Sequence, residues 1–310
     1  PAIAAGNTVL MKHSDITAGT AMLIEKAFTD IGGMTLFRNA HLSHQDSALV
    51  IADPRIQGVT FTGSTRGGKE VAGVAGQSLK KTVLELGGSD AYLILHDADI
   101  ELAAESCAQS RMVNGGQSCV AAKRFIVHQS KMNEFIHKFS LELEKYKIGD
   151  PMDNQTVRGP LAHKKFQLQI HEQVKTINKK SIQIGGKLPD ETNASYPATI
   201  LIMENSSKRW EQEFFGPVAC VWSFSSEDQA LEIANNSIYG LGGAVFSSDK
   251  ERALQFARKL ECGIVGINEM VKSDPALPFG GVKNSGYGRE LSKYGIYEFL
   301  NIKSVTTRSV

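Results

Sequence analysis

Short apolar runs rich in β-branched residues alternate along this chain with longer stretches whose apolar positions recur at helical spacing. Residues 8–12 read as a strand, 17–31 as an amphipathic helix, 35–38 as a strand and 43–52 as a helix. A strand at 58–61, a helix starting near Ser64 and a strand at 82–86 follow. The rhythm resumes with strands at 91–95 and 125–128 and helices at 100–113, 132–146 and 163–180. Strands at 218–224, 243–246 and 264–268, separated by helices at 229–235 and 250–260, complete the series. Two polar stretches break it. Residues 147–159 contain Gly149-Asp-Pro151 and read as a surface connection, and 189–197 read as a solvent loop. The last stretch, 298–307, is rich in β-branched residues and reads as a strand, which left unpaired would invite aggregation. Strand–helix alternation at this spacing predicts an α/β fold with a parallel sheet covered on both faces.

A chain of 310 residues exceeds one ordinary core and implies two α/β units. The apolar share of 42% and charged share of 22% are those of a globular protein. A net charge of +1 offers no electrostatic attraction for nucleic acid or a membrane surface. No apolar stretch approaches the ~20 residues of a membrane span. The four cysteines lack CxxC or His-rich metal spacing, so a reduced cytoplasmic setting without a structural metal is expected. The first residue is Pro1, and Pro1-Ala-Ile-Ala-Ala-Gly-Asn reads as the interior of a longer protein.

Chemistry concentrates in Asn114-Gly-Gly-Gln-Ser-Cys119 and Glu85-Leu-Gly-Gly88. A thiol in a Gly-rich loop admits a close electrophile, and a carboxylate beside two glycines can face a pocket. Together they provide a nucleophile and a base for making and hydrolysing a thioester. A lone Cys is commonly a small buried hydrophobe, the reading that applies to Cys107, Cys220 and Cys262. Ser64, after Phe61-Thr-Gly63, opens a helix whose unpaired N–H groups either bind phosphate or are simply N-capped.

Phe61-Thr-Gly-Ser64, Glu85-Leu-Gly-Gly88, Gly116-Gln-Ser-Cys119, Glu213-Phe-Phe-Gly-Pro217 and Pro278-Phe-Gly-Gly281 occur in that order. The series closely resembles the aldehyde dehydrogenase superfamily, and the resemblance runs from Gly6-Asn-Thr-Val-Leu-Met-Lys12 to the Gly-Arg-Glu-Leu-Ser segment ending at Ser292. Ala121-Ala-Lys-Arg-Phe125 and Val282-Lys-Asn-Ser-Gly286 look most like the bacterial succinate-semialdehyde dehydrogenases. The resemblance implies an aldehyde dehydrogenase-like α/β fold. Residues 1–86 would be part of a Rossmann-type cofactor domain, 87–286 the thiol domain, and 287–310 a tail that pairs with another subunit. It assigns Cys119 as nucleophile and Glu85 as general base. Lys12, Asp15, Gly63, Ser64, Glu213 and Phe215 would hold NAD, with NADP possible. Asp15 favours NAD, because a carboxylate accepts from a ribose 2′-hydroxyl and repels a 2′-phosphate. Phe279, Arg111 and Ser273 would meet the substrate, a small aldehyde. The family's usual carboxylate-binding Arg position is Val113 here, so Arg111 is the nearest guanidinium. A homodimer or homotetramer is implied. The side-chain oxyanion donor of the family, an Asn, has no counterpart in this sequence. The alternatives are a CoA-acylating relative, against which Glu85 argues, and a non-catalytic truncated homologue.

Overall fold

A computed structural model describes residues 1–33, 35–189, 193–204 and 209–308. The chain divides into two compact units: Pro1–Glu85 with Ser273–Gly280 and Tyr287–Val310, and Leu86–Lys272 with Gly281–Gly286.

In the first unit, strand β1 (Val9–Met11) runs parallel to β2 (Phe37–Asn39), with helix α1 (Ala18–Asp30) between them in sequence. Helix α2 (His44–Ala52) starts at a capping box, in which the Ser43 hydroxyl accepts from the Asp46 N–H and the Asp46 carboxylate accepts from the Ser43 N–H. Strand β3 (Gly58–Thr62), helix α3 (Thr65–Gln77) and strand β4 (Lys81–Glu85) form a parallel β–α–β turn, whose register ends on Thr62 opposite Glu85. The expected single sheet is divided here: β1–β2 and β3–β4 belong to separate sheets. Val83, Leu84 and Ala75 of this unit are buried, but large apolar residues on α1 are not, with Leu23 69% and Ile31 79% exposed.

The second unit carries a seven-stranded sheet. Its strands are β5 (Ala91–Ile94), β6 (Arg124–His128), β7 (Ile182–Ile184), β8 (Thr199–Ile202), β9 (Val218–Phe224), β11 (Gly242–Phe246) and β12 (Ile264–Ile267). The spatial order is β12-β11-β5-β6-β9-β8-β7, parallel throughout except for the β7–β8 pair. Two-residue strands β10 (Tyr239–Gly240) and β13 (Val282–Lys283) pair antiparallel beside it. Strand alternation sends side chains to two separate cores. Tyr92, Phe125 and Phe246 pack with Phe135 and Phe139 of helix α5 (Met132–Glu144) and with helix α4 (Ile100–Met112). Leu93, Ile126 and Val245 pack on the opposite face with helices α6 (Lys164–Lys175), α7 (Glu227–Asn235) and α8 (Lys250–Lys259). Fully burying one such side chain contributes about 1.5–3 kcal/mol, so this unit holds the principal core.

Three expectations fail locally. The helix at 163–180 stops at Lys175, because the Asn178 side chain accepts from the Lys180 N–H and caps a separate turn, Lys179–Ser181. The loop at 189–197 includes residues 190–192, outside the described residues, and ends buried at Ser195 and Tyr196. The strand expected at 298–307 is not formed among its described residues. A short helix, Ser292–Tyr297, precedes an irregular stretch with Ile302 93% exposed. β-Branched residues need a ladder partner to form a strand, and this segment has none among the described residues of this chain. No helix among the described residues is long and apolar enough to cross a membrane.

Candidate active site

Cys119 lies beyond α4, after a backbone that coils left-handed through Asn114 (φ 49°), Gly115 (φ 64°) and Gly116 (φ 81°). Glycine is required at Gly116, where a Cβ would lie 2.4 Å from the backbone of Gly216. Two buried cations catch the carbonyls this loop turns inward. Arg111 donates to Gly116 O at 2.7 Å and to Val218 O at 3.3 Å. Lys123 Nζ donates to Ser118 O at 2.9 Å and Cys119 O at 2.8 Å, and lies 3.4 Å from Glu213 Oε1.

The Gly87–Gly88 pair is a matter of clearance. A Cβ on Gly87 would meet the Glu213 carboxylate at 2.4 Å, and one on Gly88 the Cys119 carbonyl at 2.5 Å. The Gly88 N–H donates to Glu213 Oε1 at 3.0 Å. Behind this cluster Asp90 is buried, accepting from the Gly242 N–H at 3.0 Å, and burial pushes its carboxyl up to about 6. The half-buried Cys119 thiol is pushed up by burial; Lys123 and the Val120 N–H pull it back, while Asp90 and Glu213 oppose them. Burial pushes Cys220 and Cys262 up to about 12 and Cys107 well above its ordinary value.

Phe215, 43% exposed, and Glu213 line an open groove of about 720 Å³ with Phe166, Ile170 and Gln173 of α6. Arg111 departs from its expected place at the substrate. It lies on the inward face of α4, is wholly buried, and directs its Nη1 and Nη2 donors to backbone carbonyls. A guanidinium removed from water must find such acceptors, which makes this one a brace of the Cys119 loop.

In the first unit Glu85 ends β4. It is 3% exposed, and neither carboxylate oxygen has a hydrogen-bond partner among the described residues. Burial pushes its pKa up to about 8, with Glu290 adding to the rise and Arg289 opposing it. The Glu85 carbonyl accepts from the Gly63 N–H at 3.0 Å. Ser64 is the N-cap of α3, its hydroxyl accepting from the Gly67 N–H at 3.2 Å. Lys12 and Asp15 form a loose ion pair at 3.8 Å and line a cleft of about 290 Å³ with His13, His41, Leu42 and Ser43. Phe279 is 8% exposed and exchanges backbone hydrogen bonds with Glu290 at 2.7 and 2.8 Å. Ser273 is exposed.

Lys123 and Asp90 escaped sequence reasoning. One signal was available: Lys123-Arg124 opens the apolar run Phe125-Ile126-Val127, and cations entering a buried strand require internal partners. Arg124 finds them in the carbonyls of Ser89, Ile233 and Ala234. No group of three or more His, Cys, Asp or Glu among the described residues could hold a metal ion.

A largely parallel sheet covered by helices on both faces, with a thiol on a braced glycine loop, and a β–α–β turn ending on a buried carboxyl, define an α/β protein. The aldehyde dehydrogenase family model matches residues 1–305, and the chain belongs to that family. It is 42% identical to an aldehyde dehydrogenase of Paenarthrobacter nicotinovorans, covering 99% of this chain and 68% of the relative. It is also 42% identical to the succinate-semialdehyde dehydrogenase [NADP(+)] of Deinococcus radiodurans, covering 98% of this chain and 65% of that protein. The crystal structure of succinic semialdehyde dehydrogenase from Streptococcus pyogenes in complex with NADP+ matches with a TM-score of 0.92 at 40% identity, over 96% of this chain and 66% of that one. The chain thus spans about two thirds of the length of these relatives.

Proposed function

We propose that this chain supplies the thiol and the base for NAD(P)-dependent oxidation of a small aldehyde to its carboxylic acid, with a semialdehyde as substrate class. The observation that carries the reading is the Cys119 loop, where a half-buried thiol follows a left-handed glycine turn and a buried ammonium is bonded to its own carbonyl. In this reading the Cys119 thiolate attacks the aldehyde carbon and forms a hemithioacetal alkoxide. A nicotinamide dinucleotide, when bound, supplies the hydride acceptor that leaves the substrate as a thioester on Cys119. Glu85 then takes a proton from water, the hydroxide adds to the thioester carbon, and the thiolate departs as the acid forms. Being partnerless and held near 8, Glu85 binds and releases a proton close to neutrality, as a base must.

The residues fit the dinucleotide. The α3 N-terminus at Gly63 and Ser64 suits a pyrophosphate, Lys12 and Asp15 suit ribose hydroxyls, and Glu213 and Phe215 suit the nicotinamide end. The relatives' names include NADP(+), and the exposed Asp15 carboxylate favours NAD. In this reading residues 1–86 are cofactor-binding, 87–286 carry the thiol, and 287–310 serve association into a homodimer or homotetramer.

The test is to mix the complete protein with short aldehydes and NAD or NADP, with and without CoA, and follow reduced nicotinamide. Cys119→Ser abolishes turnover while leaving cofactor binding nearly intact. Glu85→Gln slows steady-state turnover by 100-fold or more, to order of magnitude, yet keeps a first burst of reduced cofactor. Full turnover in either variant sinks the reading, and an absolute need for CoA replaces it with the acylating one.

A further inference from the structure

We propose that Lys123 is a positioning residue for the nucleophile: its buried ammonium is a counter-ion shared between the Cys119 loop and the Glu213 carboxylate. The inference rests on the reading of Cys119 as the reacting thiol. Lys123 is 1% exposed, so its charge has to be met inside the protein. An ammonium has three donors. Two end on the consecutive carbonyls of Ser118 and Cys119, at 2.9 and 2.8 Å, and the charge faces Glu213 Oε1 at 3.4 Å. The backbone on which it stands is itself fixed. The Lys123 N–H donates to Asp90 O at 3.3 Å, and the Lys123 carbonyl accepts from the Cys220 N–H at 2.8 Å. The side chain therefore leaves a rigid strand end and grips the loop four residues earlier.

Two consequences follow from this arrangement. The carbonyls of Ser118 and Cys119 are held inward, which limits the orientations open to the thiol. The field at the sulfur also becomes a balance among named groups. Lys123 and the Val120 N–H favour the thiolate, while Asp90, Glu213 and burial itself oppose it. Glu213 competes directly, because its carboxylate lies 3.4 Å from the same ammonium that holds the Cys119 carbonyl.

The distinguishing readout is the pH dependence of iodoacetamide alkylation at Cys119 in the full chain, followed by peptide mass spectrometry. It requires neither aldehyde nor nicotinamide, so its result stands apart from the turnover test of Cys119→Ser. Lys123→Met raises the half-alkylation pH by about one unit or more and slows alkylation at neutral pH by about tenfold. Lys123→Arg keeps the charge and stays within about half a unit of the parent. Glu213→Gln moves the midpoint the other way, to lower pH. A residue that merely filled space would shift no midpoint, and damage to the loop would move every variant in one direction. If Lys123→Met fails to fold, as circular dichroism would reveal, Glu213→Gln decides: a lowered midpoint supports the shared counter-ion, and an unchanged or raised one overturns it.

Discussion

Glu85 shows how burial turns a residue type into a chemical function. A carboxyl on a solvated strand end would be ionised at neutral pH. This one is enclosed without a hydrogen-bond partner among the described residues and is pushed up to about 8, first by burial and then by Glu290. Because the folded-state pKa lies above the unfolded value, the folded protein holds a proton that the unfolded chain releases. Stability from this group is therefore complete below about pH 4.5 and is lost as pH rises toward about 8. Asp90, raised to about 6, acts in the same direction but has finished titrating before the upper part of that window. Thermal unfolding midpoints at pH 6 and pH 8 test this: the parent protein loses stability between them, and Glu85→Gln removes most of that loss, leaving the smaller share that belongs to Asp90. An equal drop in both proteins would show that the proton sits elsewhere. Glu85 could be picked out from its neighbours Gly87 and Gly88, whereas its protonation state could not, because that depends first on burial and then on Glu290 and Arg289, far along the chain.

At the scale of elements, helix periods and capping residues are local, so most helices were legible to within a residue or two. Ser43 and Ser64 mark their helix starts through N–H groups only three residues away. Strands depend on partners. β8 (Thr199–Ile202) went unrecognised because its run is short and its ladder neighbours are β9 and β7. The stretch at 298–307 erred the opposite way, with strand composition and no ladder partner among the described residues of this chain. α5 provides the sharpest test of packing. Phe139 stacks on Phe135 at 5.2 Å, packs tilted against Phe125 of β6 at 4.9 Å, and is fully buried. Phe139→Ala should lower stability by about 3–5 kcal/mol in denaturant titration, since the sheet beneath cannot collapse into the space. A loss below about 1 kcal/mol would mean that α5 is not anchored there.

For the whole molecule, the contrast between the two units predicts unequal protection. The seven-stranded unit buries both faces of its central strands β5, β6 and β9, while the other exposes large apolar residues on α1 and leaves β1–β2 as an isolated pair. Amide hydrogen exchange should be slowest in β5, β6 and β9 and fastest in β1, β2 and α1. Uniform protection would refute that ranking. The sequence by itself determined the alternation of strands and helices, the glycines at Gly63, Gly88 and Gly116, and the candidate thiol and base, because periodicity, capping and motif spacing are properties of neighbouring residues. Only the tertiary structure decided the strand order, the division of the expected single sheet, the use of Arg111 as a brace, and the ionic surroundings of Cys119. Those outcomes depend on which distant segments remove a group from water and which atoms then answer its charge. Gly88 meets Glu213, and Asp90 meets Gly242, only after the chain has closed.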